Sequence, residues 1–202
     1  MTSKKVSKLE KKKLRSKVLT SLNQLTWEEK QNKNYLISKH LFNWLSKNFL
    51  ISQNPLYKKR IIGGFYPYEN EPNWINKEIQ NLFSFAFPRF EDDQLRSMIY
   101  FLGEWDKYTE LTLNGVSLKV PRMNSQRVLP DLILVPGIAF TKLGHRLGRG
   151  KGCFDRYLSQ FKGVKVGICF EGQILDDLPI EKFDEKVDII ISDKEVVDCR
   201  QL

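Results

Sequence analysis

The sequence has 202 residues, of which 41% are hydrophobic and 28% charged, a composition typical of one globular domain that is long enough to bury a core. None of its apolar runs approaches the roughly 20 residues needed to span a bilayer, which excludes a membrane-spanning protein. The formal net charge of +9 admits nucleic acid as a partner until the charge is mapped along the chain.

The basic residues are concentrated at the N-terminus. Residues 1–60 carry 15 Lys and Arg against 3 Asp and Glu, whereas residues 61–202 carry 18 against 21. The surplus indicates either a solvated lysine-rich helix face or a surface that attracts anionic ligands or nucleic acid. Cys153, Cys169 and Cys199 form no CxxC pair, which favours reduced thiols and, without a secretory signal, a cytoplasmic protein.

Two amphipathic helices are predicted before residue 50. In the first, over residues 7–25, apolar residues recur at helical spacing between lysines. Thr26 and Glu29 form a capping-box signature at the start of the second helix, which is predicted to end near Asn48 or Phe49. The connection SQNPLYKKR follows.

The rest of the chain alternates short apolar runs with helical patterns. We predict strands at residues 61–66, 84–87, 98–102, 132–135, 164–170 and 187–192, with one helix through Trp74 and Leu82 and another ending near Phe161. Residues 108–121 are ambiguous, although Asn114-Gly115 suggests a hairpin turn. The pattern predicts a single-domain α/β fold over residues 1–202. A Rossmann-like, largely parallel sheet within residues 60–200 has helices on both faces, and an N-terminal helical pair occupies residues 1–50.

The strand predicted at residues 132–135 leads into a glycine-rich, basic loop over residues 144–155. Glycines alternate there with cations: Gly144, Arg146, Gly148, Arg149, Gly150, Lys151 and Gly152. Glycine lets the backbone turn sharply and approach a polyphosphate closely, and cations neutralise the phosphate oxygens. A helix beginning near Asp155 would add its positive end, and Asp155 can hold a magnesium ion. The alternatives are a flexible basic loop without a ligand and, for Asp155, a helix-capping carboxylate.

Neither of the common nucleotide-binding motifs fits this loop. A P-loop requires Ser or Thr after its lysine, and Gly152 follows Lys151. The dinucleotide fingerprint requires a third glycine where this chain has Cys153. The loop is therefore predicted to be a phosphate cradle of another kind.

The run PDLILVPGIAF, followed by GHRLGRGKG, an aromatic residue and Asp155, resembles the signature of the 5-formyltetrahydrofolate cyclo-ligase family. Three further segments resemble family motifs in the right order: KKKLR at residues 11–15, GFYP with Glu71 at residues 64–71, and LPIE with Asp184 at residues 178–188. Three positions depart from the family pattern. Cys153 replaces an aromatic residue, Phe183 replaces a histidine, and Val120 replaces an acidic residue before Pro121.

The resemblance implies an enzyme that uses ATP and Mg²⁺ to convert 5-formyltetrahydrofolate to 5,10-methenyltetrahydrofolate, ADP and phosphate. The formyl oxygen is phosphorylated and nitrogen 10 then closes the ring. Arg149 and Lys151 would be catalytic, nearest the transferred phosphoryl group. The implied ATP contacts are Lys11, Lys12, Lys13, Leu14, Arg15, Arg146, Leu147, Gly148, Arg149, Gly150, Lys151, Gly152, Cys153 and Phe154.

The resemblance also implies a folate half of the site. The folate, which can carry a polyglutamate tail, would contact Tyr66, Glu71, Arg149, Gly150, Lys151 and Gly152, with Glu69 as the rival carboxylate to Glu71. Asp155 and Asp184 would hold the magnesium ion, although Glu185 and Asp188 compete with Asp184. We expect a cytoplasmic monomer that binds neither nucleic acid nor membrane.

Two other functions stay open from the sequence. The basic N-terminal helix is compatible with a nucleic-acid-binding module, and the phosphate cradle with an ATP-dependent ligase that acts on another carbonyl substrate. His40 and His145, the only histidines, have no partner pattern for a nucleophilic triad.

Overall fold

The computed structural model describes residues 3–49, 59–91, 97–113 and 115–201. The helices are α1 (Ser3–Asn23), α2 (Trp27–Asn48), α3 (Lys77–Leu82) and α4 (Cys153–Leu158), and a 3-10 turn lies at Glu171–Gln173. The strands are β1 (Ile61–Gly63), β2 (Ser84–Phe90), β3 (Met98–Leu102), β4 (Tyr108–Leu113), β5 (Val116–Pro121), β6 (Leu132–Pro136), β7 (Ala139–Phe140), β8 (Arg146–Leu147), β9 (Val164–Ile168), β10 (Ile189–Ile191) and β11 (Val196–Asp198).

Seven strands form the central sheet, in the order β11-β10-β9-β6-β1-β2-β3. The five strands from β10 to β2 are parallel, and the two edge strands β11 and β3 are antiparallel to their neighbours. The predicted largely parallel sheet is confirmed. The sequence does not predict β11, because only Val196 and Val197 of its three residues are apolar.

Helices cover both faces of the sheet, as predicted. On one face Val18 of α1, Leu41 of α2 and Ile79 of α3 pack in a single apolar cluster with Ile62 of β1. On the other face Leu158 of α4 packs in a second cluster. Alternate residues of the buried strands point into each cluster, since successive side chains of a strand face opposite sides.

The first strand is shorter than predicted because its aromatic continuation leaves the sheet. β1 ends at Gly63, and the Phe65 carbonyl accepts a hydrogen bond of 3.1 Å from Nε1 of the buried Trp74. Tyr66 stacks on Phe87 of β2, with ring centroids 4.2 Å apart. Aromatic packing thus takes the chain out of the sheet before the loop that carries Glu69 and Glu71.

The helix predicted through Trp74 begins only at Lys77, after an Asn76 N-cap, and the one predicted to reach Phe161 ends at Leu158. The capping box is confirmed: Thr26 Oγ1 accepts from the Glu29 amide at 3.1 Å, and Glu29 Oε2 accepts from the Thr26 amide at 2.8 Å. Two satisfied amides fix the start of α2.

β4 and β5 form the suggested antiparallel hairpin, and Gly115 has φ = 77°. Asn114 and residues 52–58 of the predicted connection lie outside the described residues. Among the helices of the described ranges, none is both long enough and apolar enough to cross a membrane.

Candidate active site

The candidate site lies where the strand order reverses. From β1 the chain crosses to β2 on one side, whereas β6, β9 and β10 follow on the other side of β1. β1 and β6 are parallel neighbours, with Gly63 opposite Ile133. In open α/β sheets a crevice forms at such a switch point, outside the carboxyl ends of the strands, and ligands bind there. The loops after β1 and β6 are those that carry Glu71 and the glycines.

The glycine loop begins with a tight turn that is structural. Gly144 has φ = 84°, its amide donates to the Thr141 carbonyl at 2.9 Å, and a Cβ at this position would collide with the Val187 carbonyl oxygen. Gly144 therefore packs against the segment before β10. Gly150 and Gly152 have φ = 99° and 66°, conformations that residues with a Cβ rarely adopt.

Arg146 lies beneath the loop. It is 6% exposed, its Nη1 donates to the Pro136 carbonyl at 3.1 Å, and its Nη2 donates to Asp155 Oδ1 at 2.7 Å. Its Nε is buried without a hydrogen-bond partner among the described residues. Leu147 is buried beside it. In this structure Arg146 supports the loop from below and ties it to α4.

Arg149 connects the glycine loop to the loop after β1. Its Nε donates to Glu71 Oε1 at 3.0 Å, its Nη1 donates to Glu69 Oε2 at 2.9 Å, and its Nη2 donates to the Tyr68 carbonyl at 3.1 Å. The guanidinium also lies 4.8 Å from the centre of the Tyr68 ring. The structure thus brings together the predicted catalytic arginine and the predicted folate carboxylate. Its predicted contact with a phosphoryl group stays a prediction.

The N-terminal helix reaches the same loop. Arg15 Nε donates to the Gly148 carbonyl at 2.7 Å, and a Cβ at Gly150 would lie 3.4 Å from Arg15 Cζ. Lys11, one turn earlier, is 5% exposed, and its Nζ lies 2.8 Å from Glu181 Oε2 and 2.5 Å from Asp184 Oδ2. The i and i+4 positions therefore face the site together, as their spacing predicts.

The other predicted residues of the N-terminal segment face elsewhere. Lys12 and Lys13 are exposed, and Leu14 packs against the apolar core. Within the glycine loop Lys151 is exposed, whereas Phe154 packs in the second apolar cluster. Burial raises the pKa of the Cys153 thiol, although the positive charge of Arg156 opposes it. Their predicted contacts with ATP stay predictions.

Each of the two predicted magnesium ligands forms an ion pair with a basic side chain. Asp155 lies in the first turn of α4, where its side chain accepts from Arg146, and no side-chain hydrogen bond caps the helix at Gly152. Asp184 Oδ2 also accepts from the Glu181 amide at 2.7 Å. Both side chains are 22% exposed.

Arg15 lies near both of these acids. Burial lowers the pKa of Arg15, while the charges of Asp184, Glu181 and Asp155 oppose that shift. The rivals of Asp184 are used elsewhere, because Glu185 Oε2 and Asp188 Oδ2 accept from the side-chain and backbone nitrogens of Lys165. No group of three or more His, Cys, Asp or Glu in the described residues is arranged to hold a metal. Two carboxylates with substrate phosphate oxygens are a set that Mg²⁺ accepts.

Among the residues predicted to contact folate, Glu71 is nearly enclosed. Its side chain is 11% exposed, and Oε2 accepts from the Tyr68 amide at 3.0 Å while Oε1 accepts from Arg149. Burial raises the pKa of Glu71, and the charge of Arg149 is the largest opposing effect.

Tyr66 lies in an aromatic group with Phe87, Trp105 and Tyr108. Its hydroxyl donates to the Glu104 carbonyl at 3.1 Å. Burial raises the pKa of this phenol, so it stays protonated at neutral pH. Tyr66 offers a ring face rather than an ionised oxygen.

Three residues of the site were missed by the sequence interpretation. Glu181 pairs with Lys11, Tyr68 contacts Arg149, and Trp105 lies against Tyr66. No local spacing indicates these partners, since each contact joins distant segments or depends on a loop conformation. A separate groove of about 520 Å³ opens beside Trp105, and its lining, which includes Gln80, Ser84, Lys107 and Arg122, contains no glycine-loop residue.

Part of the chain is similar in sequence to proteins of one family. Residues 88–193 match the sequence model of the 5-formyltetrahydrofolate cyclo-ligase family. A probable 5-formyltetrahydrofolate cyclo-ligase of Schizosaccharomyces pombe is 32% identical over 111 residues, which are 46% of this chain and 54% of that protein. The 5-formyltetrahydrofolate cyclo-ligase of Escherichia coli K12 is 30% identical over 95 residues, which are 44% of this chain and 52% of that protein. The chain thus spans about half the length of these relatives.

Two solved structures have a similar fold. A 5,10-methenyltetrahydrofolate synthetase from Aquifex aeolicus superposes with a TM-score of 0.72 and 27% identity, covering 94% of this chain and 93% of that one. A 5,10-methenyltetrahydrofolate synthetase from Mycoplasma pneumoniae superposes with a TM-score of 0.69 and 23% identity, covering 92% of this chain and 99% of that one. The fold similarity therefore extends well beyond the stretch matched by sequence.

Proposed function

This chain belongs to the 5-formyltetrahydrofolate cyclo-ligase family, and we propose that it converts 5-formyltetrahydrofolate and ATP to 5,10-methenyltetrahydrofolate, ADP and phosphate. One observation carries the proposal. Arg149 of the glycine loop is hydrogen-bonded to Glu71 of the loop after β1. A phosphate-binding loop and a carboxylate suited to a pterin are thereby neighbours at the switch point of the sheet, where one substrate can meet the other.

The triphosphate is assigned to the glycine loop and to the middle of α1, where Lys11 and Arg15 lie. Backbone amides of residues 148–152 can point at phosphate oxygens because Gly150 and Gly152 adopt positive φ. Lys151 is exposed on the loop, and Lys11 and Arg15 approach it from α1. Lys11 forms ion pairs with Glu181 and Asp184, and phosphate oxygens would replace these carboxylates as its partners.

Asp155 and Asp184 are the residues that would hold a magnesium ion, because each presents a partly exposed carboxylate beside the cations of the phosphate site. When bound, Mg²⁺ neutralises phosphate charge and orients the oxygens of the transferred group. Arg146 keeps the Asp155 carboxylate in a fixed orientation from below.

The folate is assigned to the loop after β1. The Glu71 carboxylate can accept hydrogen bonds from the amino group and ring NH of the reduced pterin, and the Tyr66 ring can pack against a planar ligand. Placing the formyl group beside the γ-phosphate makes the reaction a matter of positioning and charge stabilisation.

The reaction then balances without a covalent enzyme intermediate. The formyl oxygen attacks the γ-phosphorus, the bond from phosphorus to the bridging oxygen breaks, and ADP leaves. Nitrogen 10 attacks the activated carbon and loses its proton, and the carbon–oxygen bond breaks with release of phosphate. Because all the assigned side chains come from one chain, the proposed active form is a monomer, and three free thiols favour the cytoplasm as its compartment.

A direct assay tests the proposal. Purified protein, Mg²⁺, ATP and 5-formyltetrahydrofolate should yield the methenyl chromophore and ADP in equal amounts. Lys151→Ala and Asp155→Asn should lower the rate by at least about 10-fold, since each removes a charge-assisted contact. Lys162→Ala, which changes an exposed lysine after α4, is the matched control and should not alter the rate.

Two outcomes would contradict the proposal. ADP formation only with another carbonyl substrate would favour a different ATP-dependent ligase. Salt-dependent retention of RNA or DNA without any turnover would favour the nucleic-acid-binding alternative.

A further inference from the structure

We propose that Arg149 is a positioning residue for the folate half of the site: its guanidinium holds the Glu71 carboxylate for the pterin and does not bind the transferred phosphoryl group. The inference rests on the proposed function, and it differs from the expectation that Arg149 binds the triphosphate. It starts from the fact that each nitrogen of the guanidinium already has an acceptor in the loop after β1.

The three acceptors form one compact surface. Glu69, Tyr68 and Glu71 lie in a single turn in which Glu69 has φ = 52°. This backbone conformation is uncommon for a residue other than glycine and costs free energy. Arg149 contacts both glutamates and the Tyr68 carbonyl that precedes them, so it stabilises the turn in the form that places Glu71.

Both oxygens of Glu71 are held in place. Oε1 accepts from Arg149 and Oε2 accepts from the Tyr68 amide, in a side chain that is 11% exposed. Each oxygen has more than one lone pair, so the carboxylate can still accept from a ligand without losing these contacts. The pterin can therefore bind to Glu71 while Arg149 stays in position.

The charges around Glu71 show why it needs a cation. Burial and the negative charge of Glu69 raise the pKa of Glu71, whereas the positive charge of Arg149 and the hydrogen bond from the Tyr68 amide lower it. Arg149 and Glu69 are the charged groups that act on it, and Tyr68 acts through its backbone amide. Without Arg149 the enclosed carboxylate would lose its cation and would protonate more readily.

Phosphate binding has a better candidate next to Arg149. Lys151 is exposed on the same loop, whereas the Arg149 side chain is 33% exposed and makes two ion pairs. Transfer of the guanidinium to a phosphate would break three hydrogen bonds and leave Glu71 buried beside Glu69 without its cation, which is unfavourable.

The test measures the KM for 5-formyltetrahydrofolate and the KM for ATP separately. For Arg149→Gln we expect the KM for 5-formyltetrahydrofolate to rise by at least about 10-fold, because charge-assisted hydrogen bonds are lost. The KM for ATP should change by less than about 2-fold, within ordinary scatter for a residue that does not touch ATP. Arg149→Lys keeps the charge but loses the fork of donors, so its KM for 5-formyltetrahydrofolate should lie between those of the wild type and of Arg149→Gln. Arg200→Gln, which removes an exposed ion pair with Asp198, is the control.

A double-mutant cycle identifies the residue through which Arg149 acts. If it acts through Glu71, then Arg149→Gln in a Glu71→Gln background should change the folate KM by less than about 3-fold, because the effects are not additive. The folate KM of Arg149→Gln alone should also rise more steeply than that of the wild type as the pH falls, and a merely structural role would not produce this.

Three results would overturn the inference: a raised KM for ATP, additive effects in the cycle, or a folate KM that does not move. Circular dichroism and urea unfolding show whether the variants are folded, and Arg149→Lys replaces Arg149→Gln if the latter is not. An active wild type with one of these results rejects this inference alone. An inactive wild type rejects the proposed function and the inference with it.

Discussion

Gly148 lies directly against the guanidinium of Arg146, so that a Cβ at position 148 would be 2.8 Å from Nη1 of Arg146. The guanidinium cannot move aside easily, because it is buried and bonded to Pro136 and Asp155. Gly148 also provides the carbonyl that accepts from Arg15. The contact between Gly148 and Arg146 therefore limits how closely the glycine loop can approach α4, because Arg146 is bonded to Asp155 of that helix.

Gly148→Ala should displace the loop, lower the rate of methenyl formation by at least about 10-fold and destabilise the fold by roughly 1–3 kcal/mol, the range for overpacking a closely packed site. Initial rates and urea unfolding measure the two effects. Gly172→Ala is the matched control, because a Cβ at Gly172 meets nothing within 4 Å. Equal behaviour of the two variants would show that the loop tolerates a side chain at 148.

Arg146→Ala should destabilise the protein by about 3 kcal/mol, because it removes one partner of a largely buried ion pair. The loss includes the hydrogen bond to the Pro136 carbonyl. Urea unfolding monitored by tryptophan fluorescence measures the change. Arg200→Ala removes a more exposed ion pair and should change the free energy of unfolding by no more than about 0.5 kcal/mol. A similar small change in Arg146→Ala would mean that the pair contributes little to the fold.

Lys11→Met should raise the KM for ATP by at least about 10-fold, since Lys11 is a buried lysine of α1 that is paired with Glu181 and Asp184. Isothermal titration with a non-hydrolysable ATP analogue gives the affinity independently of turnover. Lys17→Met changes an exposed lysine of the same helix and should leave the affinity unchanged. If Lys11→Met and Lys17→Met bind the analogue equally weakly, the basic surface of α1 attracts ATP as a whole and Lys11 makes no specific contact with it.

The affinity for 5-formyltetrahydrofolate should fall on the acid side at a pH above the ordinary value for a glutamate. Burial raises the pKa of Glu71 from 4.5, and Arg149 only partly opposes the shift. Because the ionised form accepts the pterin donors, binding is complete above the raised pKa and weakens as the pH falls through it. Equilibrium binding between about pH 5 and pH 8 measures the change. Glu71→Gln, which does not titrate, should bind more weakly and with no such pH dependence. A wild-type profile as flat as that of Glu71→Gln would contradict the role of Glu71.

Much of the local structure could be predicted because it depends on neighbouring residues. Thr26 and Glu29 form the capping box because they are three residues apart at a helix start. The apolar residues 132–135 lie in β6, a fully buried strand. The aromatic residues up to Tyr66 predict a strand, but the stacking of Tyr66 on Phe87 of another segment takes it out of the sheet.

The roles of individual cations could not be read from the sequence. Arg146 and Arg149 both alternate with glycines, and both were expected at the phosphates. Arg146 lies beneath the loop and is bonded to Asp155, whereas Arg149 is bonded to Glu71 of the loop after β1. Spacing along a loop gives no direction to its side chains, because the loop has no regular period.

The sequence by itself determined that a glycine-rich, basic loop follows a buried strand and that this loop is suited to phosphate, since close backbone approach needs glycine wherever the loop lies. Only the tertiary structure decided which residues of distant segments lie opposite this loop. The position of β6 beside β1 brings Arg149 to Glu71, 78 residues away, and the packing of α1 brings Lys11 to Asp184, 173 residues away. Strand order and helix packing depend on the burial of the whole core, and no local pattern of residues records them.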